Sequence, residues 1–185
     1  MVADSDDDAL DLGSLVIPAG DGVHIRVQAD DQGWVSDLVL DYEGSAMQLG
    51  VFAADPGHAI WAEVRDEIRA ALFEDGEAAQ PVPGEFGVDL LTQVLSDDGP
   101  VSLRFIGIDG PGWMVRGVIQ GAATTDPHRA EPFLACLRGL RVVRGEAALL
   151  ERTPLPLRLP DDLREQAAWS ADETEHDDTA SALLD

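Results

Sequence analysis

The sequence predicts an α+β domain built mainly on antiparallel sheet, and three observations predict it. Between residues 23 and 54 apolar side chains alternate with polar ones in successive runs separated by short turns. The period then changes to steps of three and four, placing Ile60, Trp61, Val64, Ile68, Ala71 and Leu72 on one helix face. Finally, Val101–Gly121 reads as a hairpin whose apolar arms, Val101–Ile108 and Trp113–Gln120, flank Asp109-Gly110-Pro111-Gly112. The predicted order is βββ–α–βββ–α–β, two three-stranded meanders with flanking helices, and not a parallel doubly wound sheet.

Each element has a local reason. Leu15-Val16-Ile17 followed by Pro18 predicts a short edge strand. Val23, Ile25, Val27 and Ala29 alternate with His24, Arg26 and Gln28, and Asp30–Gly33 turns the chain into Trp34–Tyr42. Glu43-Gly44-Ser45 turns it again into Ala46–Ala54. Asp55 is placed to cap the first helix, with Pro56 at its first position and Gly76 at its end. Pro81–Pro83 reads as punctuation before a strand over Glu85–Leu95. Thr125-Asp126-Pro127 opens the second helical segment, and Pro132 moves its regular part to near Glu131. Leu140–Val143 is a last short strand. In residues 154–160, PLPLRLP, three prolines favour an extended chain. Leucines at every second position favour a strap laid over the domain, since they are costly to leave in water.

Charge divides the chain further. The formal net charge is −24, and every cation among the 12 Lys and Arg is an arginine. Residues 1–12 hold five Asp, and residues 161–185 hold nine acidic side chains against Arg164 alone. The implied organisation is an acidic, disordered tail over 1–12, an α+β domain over 13–150, a Pro/Leu-rich strap over 151–160 and an acidic tail over 161–185. That last tail includes a short helix over 161–169 lined by Leu163, Ala167 and Trp169, and it carries an apolar tip at Leu183-Leu184. Such a surface repels phosphate backbones, which excludes nucleic acid and anionic membrane as expected partners and favours a protein partner with a basic surface. The acidic start carries no apolar run, and no stretch approaches the ~20 apolar residues of a membrane span, so a cytoplasmic protein is expected.

Several segments together resemble a known family. IPAGDGVHIRV, IWAEVRDEI, FGVDLL, RFIGIDGPGWMVRGVIQG and PLPLRLP are similar to a mainly actinobacterial protein family, domain of unknown function 3710, across Asp11 to Pro160. The hairpin block and PLPLRLP are its specific parts. That resemblance implies no activity, ligand or catalytic residue. In element order alone, the layout is also similar to Mog1/PsbP-like domains, which implies protein interaction by analogy.

No motif assembles a catalytic centre. The acidic run at Asp4, Asp6 and Asp8 lacks the Gly and Glu that a calcium loop needs at its sixth and twelfth positions, where Ala9 and Leu15 stand. His24, His58, His128 and His176 have no spacing that puts two on one helix face, and Cys136, the single cysteine, reads as a buried thiol. Gly107, Gly110 and Gly112 do not make a dinucleotide fingerprint. No catalytic, metal-binding or cofactor-binding residue is therefore assigned, and no cofactor is expected. The candidate contacts are Arg104 and Arg116, on opposite hairpin arms at nearly matching distance from the turn, and Trp34, the tryptophan least expected to be buried. Each arginine also has a plain structural reading, pairing with a nearby carboxylate such as Asp89 on the presumed neighbouring strand. The favoured function is a non-catalytic protein-interaction or adaptor module. The alternative is a small-molecule-binding protein or enzyme with a cleft near Arg104 and Arg116.

Overall fold

Alternating side chains become strands because a pleated strand sends neighbours to opposite faces, and most of these runs share one sheet. The computed structural model describes residues 9–166. Along the chain run β1 (Leu10–Asp11), β2 (Leu15–Ile17), β3 (His24–Ala29), β4 (Val35–Tyr42), β5 (Ser45–Ala53), α1 (Trp61–Glu74), β6 (Ala79–Gly84), β7 (Gly87–Ser96), β8 (Gly99–Gly110), β9 (Trp113–Gln120), a 3₁₀ turn at Ala122–Thr124, α2 (Pro127–Gly139) and β10 (Arg141–Val142). Residues 161–166 are helical. The expectations for residues 1–8 and 167–185, including Ala167, Trp169 and Leu183-Leu184, lie outside the described residues. Among the described residues no helix is long and apolar enough to cross a membrane.

The fold is α+β with mainly antiparallel sheet, as the sequence predicts. A seven-stranded sheet runs in the order β3-β4-β5-β9-β8-β7-β6, and β1-β2-β10 form a three-stranded one. The two meanders join through the β5–β9 ladder, from Ala46↔Gln120 to Ala53↔Trp113. Helix α2 and the small sheet cover one face, where Phe133, Leu12, Leu15 and Ile17 bury Leu38, Leu40, Met47 and Ile119. On the other face α1 packs Ile60 and Trp61 against Met114 and Ala54, with Phe52 and Phe105 beside them.

Four local expectations change, besides the bound of the acidic tail: Leu10–Asp11 pairs with β2 and Leu12 is fully buried, so residues 10–12 belong to the domain and not to a disordered tail. The second meander has four strands, because Ala79–Gly84 pairs with β7 as the sheet edge. Pro81 and Pro83 sit at alternate positions there, where a missing N–H costs no ladder bond and offers nothing to a further strand. Strand β2 is the middle strand of its sheet and not an edge; Leu15 and Ile17 are fully buried. Helix α2 starts at Pro127, not near Glu131, because the Asp126 side chain accepts the His128 N–H at its cap and Ala130, Phe133, Cys136 and Leu137 anchor the whole length. Pro132 is tolerated inside it.

The α1 cap is the fourth. The helix begins six residues beyond Asp55, and Ile60 at its cap has no side-chain oxygen to offer. The orphan N–H groups of Ile60 and Trp61 donate instead to Asp109 Oδ1, at 2.8 and 3.1 Å, reaching across to the β8–β9 hairpin. At the other end Gly76 takes φ +82°. Its N–H donates to Phe73 O and that of Glu77 to Leu72 O, a Schellman closure.

The sheet also forks. The β4–β5 ladder stops at Val39↔Gln48, although β4 reaches back to Val35 and β5 runs on to Ala53. Residues 153–159 thread this fork. The Ala53 N–H donates to Thr153 O and the Leu155 N–H to Val51 O, on the β5 side. The Val35 N–H donates to Leu157 O and the Leu159 N–H to Gly33 O, on the β4 side. The segment buries Leu155 and half-buries Leu157 and Leu159.

Candidate functional site

Hairpin register decides which side chains can meet. The turn of the β8–β9 hairpin is Pro111-Gly112, with Gly110 opposite Trp113; Arg104 therefore stands opposite Ile119, and Arg116 opposite Gly107. Directly opposed residues share a face, and Ile119 lies three positions, an odd number, beyond Arg116. The two guanidiniums thus lie on opposite faces of the sheet. A cleft shared by Arg104 and Arg116 is not formed.

Arg104 points to the α2 side and is fully engaged. Its Nη2 lies 2.7 Å from Asp89 Oδ2, its Nε donates to the same oxygen at 2.9 Å, and it reaches the carbonyls of Pro83 and Thr124. Asp89 is 2 % exposed. Burial pushes its carboxyl above the ordinary range, against the opposing pull of Arg104. A charge pair of this kind holds structure together and has no hydrogen-bonding capacity aimed at a ligand.

Arg116 lies on the α1 side between two glycines, Gly50 of β5 and Gly107 of β8. Those glycines clear the sheet surface. A Cβ on Gly107 would stand 1.9 Å from the Trp61 ring, and one on Gly50 would stand 2.9 Å from the Phe52 ring. The guanidinium of Arg116 lies over Phe52, 5.1 Å from the ring centroid. It is half-buried, and burial pushes its pKa down. Among the described residues it makes no hydrogen bond or ion pair.

Two grooves meet at Arg116 and Phe52. One, of about 260 Å³, runs between α1 and the sheet, with Val64, Ile68, Met114 and Phe52 as its apolar lining. Arg152 and Glu67 stand at its far end, where the Arg152 N–H donates to Ala53 O and the guanidinium grips Glu67 at 2.7 Å and Glu63 at 3.3 Å. The other groove, of about 220 Å³, lies over the fork beside Ser36, Asp37, Gln48 and Leu157. Their polar groups are mostly spoken for: Gln48 Nε2 donates to Asp37 Oδ1 at 2.9 Å, Ser36 Oγ donates to Gln28 O, and Glu67 holds Arg152. Arg116 is the charged lining group left with a ring as its partner.

Trp34 shares this face. Val35 pairs with Ala29 and packs into the α2-side core, so its neighbour Trp34 points to the opposite side. It is 44 % exposed, with the Arg158 guanidinium over its ring at 5.5 Å. Arg116 and Trp34 are thus brought to one face, each within a cation–π pair, and Arg104 is not. Sequence reasoning missed Phe52, Gly50 and Arg158 as members of this surface. The signal available was the even-residue face of β5, which places Gly50 and Phe52 beside Arg116 once the β5–β9 pairing is known.

The remaining candidates fall elsewhere. Cys136 is buried in α2, and burial pushes its thiol pKa up. His58 joins the strap to α1, with Nδ1 3.1 Å from Glu151 and Nε2 3.4 Å from Glu63. His176 lies outside the described residues. Among the described residues no group of His, Cys, Asp and Glu side chains is placed to hold a metal ion.

Residues 1–166 match the family model described as protein of unknown function, DUF3710. The chain belongs to that family. No curated protein and no solved structure matches it. The matched span of DUF3710 takes in both grooves, the hairpin and the strap.

Proposed function

We propose that this DUF3710 chain is a non-catalytic protein-interaction module that docks a partner segment on the sheet face carrying Arg116 and Trp34. The half-buried guanidinium of Arg116 carries this reading. Taking a charge partly out of water has a cost that a counter-ion normally offsets, as Asp89 does for Arg104 on the other face. Among the described residues the offset comes from Phe52 alone, so a carboxylate delivered by another molecule gains a charge-assisted, bidentate partner already in place.

Groove size supports a chain segment as the occupant. Each groove is smaller than the roughly 300–1,000 Å³ of sites that enclose drug-sized ligands. A net charge of −24 adds a second condition. Long-range attraction favours a partner that is basic overall, while Arg116 asks for one acidic group within it.

Selection of a displayed random-peptide library on the full chain tests this. The expected result is a set of binders, basic overall, that lose affinity about tenfold against Arg116→Gln, the loss of one charge-assisted contact. A selection that yields no binder, or binders indifferent to both Arg116→Gln and Trp34→Ala in proteins that melt like the parent, overturns it.

A further inference from the structure

The geometry points to the carboxy terminus of a partner chain, ending in an aliphatic residue, as the group that Arg116 receives. This rests on the docking reading above and specifies the chemistry of its occupant. Three observations converge on it.

The groove between α1 and the sheet is apolar along its length and charged at its ends. Along β5, Gly50 marks the Arg116 end, Phe52 the floor, and Ala53 the end held by Arg152. Val64 and Ile68 of α1 form one wall, and Met114 lies beside Phe52. An aliphatic side chain gains from burial there, and a polar one does not.

The far end is spanned by an ion pair. Arg152 ties the strap to Glu67 and Glu63 of α1, a charged bar that a continuing polypeptide would have to climb over. It can send in one side chain and stop. A terminal residue meets that constraint, because its carboxylate and its side chain leave the same carbon atom. The carboxylate then lies on Arg116 while the side chain fills the slot beside it. An internal Asp or Glu brings a carboxylate but no separate apolar body.

The second groove gives the preceding residues a path. It shares Arg116 and Phe52 with the first and runs over the fork, past Asp37 and Gln48. A basic residue just before the terminus passes the Asp37 carboxylate and sits in the field of a strongly acidic protein. The ligand class is therefore a basic peptide segment ending in a free carboxylate on Leu, Ile or Met.

Fluorescence anisotropy with a dye-labelled basic octapeptide ending in leucine tests the assignment on the full chain. The peptide is made as the free acid and as the carboxy-terminal amide. The free acid is expected to bind about tenfold or more tightly than the amide. Arg116→Gln removes that difference, and Ile68→Trp, which fills the slot from the helix side, abolishes binding with Arg116 intact. Equal binding of acid and amide, or binding of neither, overturns the terminal-carboxylate assignment. If library-selected internal segments still depend on Arg116, the docking reading survives that failure. Binders that ignore this face end both.

Discussion

Arg104 and Arg116 occupy facing strands of one hairpin and end in opposite electrostatic circumstances. Arg104 is locked to a nearly inaccessible Asp89 and to two carbonyls, on the face closed by α2. Arg116 rests on a ring between two glycines, on the face that α1 covers only in part. The difference teaches that a buried charge with a fitted partner belongs to the scaffold, whereas a half-buried one stacked on a ring keeps its hydrogen-bonding capacity unspent. Substitutions ought to separate the two roles cleanly.

The largest effect belongs to Arg104→Met. It leaves the Asp89 carboxylate buried without its counter-ion, and urea unfolding at pH 7 should show a loss of about 3–5 kcal/mol. The loss shrinks in acid. With its folded pKa raised above the unfolded value, Asp89 contributes full stability only below the unfolded value and loses it as pH rises through the folded one. A loss that stays constant down to pH 4 would show that the pair is not the cause.

Gly107→Ala comes next. Its Cβ would overlap the Trp61 ring, so α1 must shift or the ring must leave its place, at about 1–3 kcal/mol. Tryptophan fluorescence and thermal melting read both consequences. Arg116→Gln should cost no more than about 1 kcal/mol, since among the described residues it gives up the stacking on Phe52 and no carboxylate loses a partner. A destabilisation comparable to that of Arg104→Met would erase the distinction between the two arginines.

The smallest effect is on the strap. His58 is held above its ordinary pKa by its hydrogen bond and charge attraction to Glu151, and further by Glu63. A raised folded pKa means that this stabilisation is complete below the ordinary value of 6.5 and fades as pH rises through the folded value above it. Melting temperatures of the parent should therefore fall slightly across that window, and those of His58→Gln should not.

Much of the frame was legible because it rests on period. Strands β3, β4 and β5 and the apolar side of α1 near Trp61 follow directly from spacing, and Gly76 marks its helix end by the φ that only glycine adopts freely. Features that depend on distant partners were not legible. Pro81 and Pro83 read as punctuation because a sequence does not say which strand is an edge. Asp55 looked like the α1 cap because it is near in sequence, while the carboxylate that does the capping lies 48 residues beyond Trp61. For the candidate site, Trp34 and Arg116 could be named, but not the face they share. Counted from the true turn, Arg104 lies six positions before Gly110 and Arg116 three after Trp113, and that odd difference puts them on opposite faces.

The hairpin-borne cap on α1 has a kinetic consequence. The helix emerges during synthesis well before residue 109 exists, so its first donors have no carboxylate to meet until β8 and β9 have paired. Helix α1 thus completes its first turn through a contact of long sequence separation, and it is expected to dock late rather than seed the fold on its own. A contact made that late predicts that Asp109→Ala speeds unfolding and leaves the folding rate nearly unchanged.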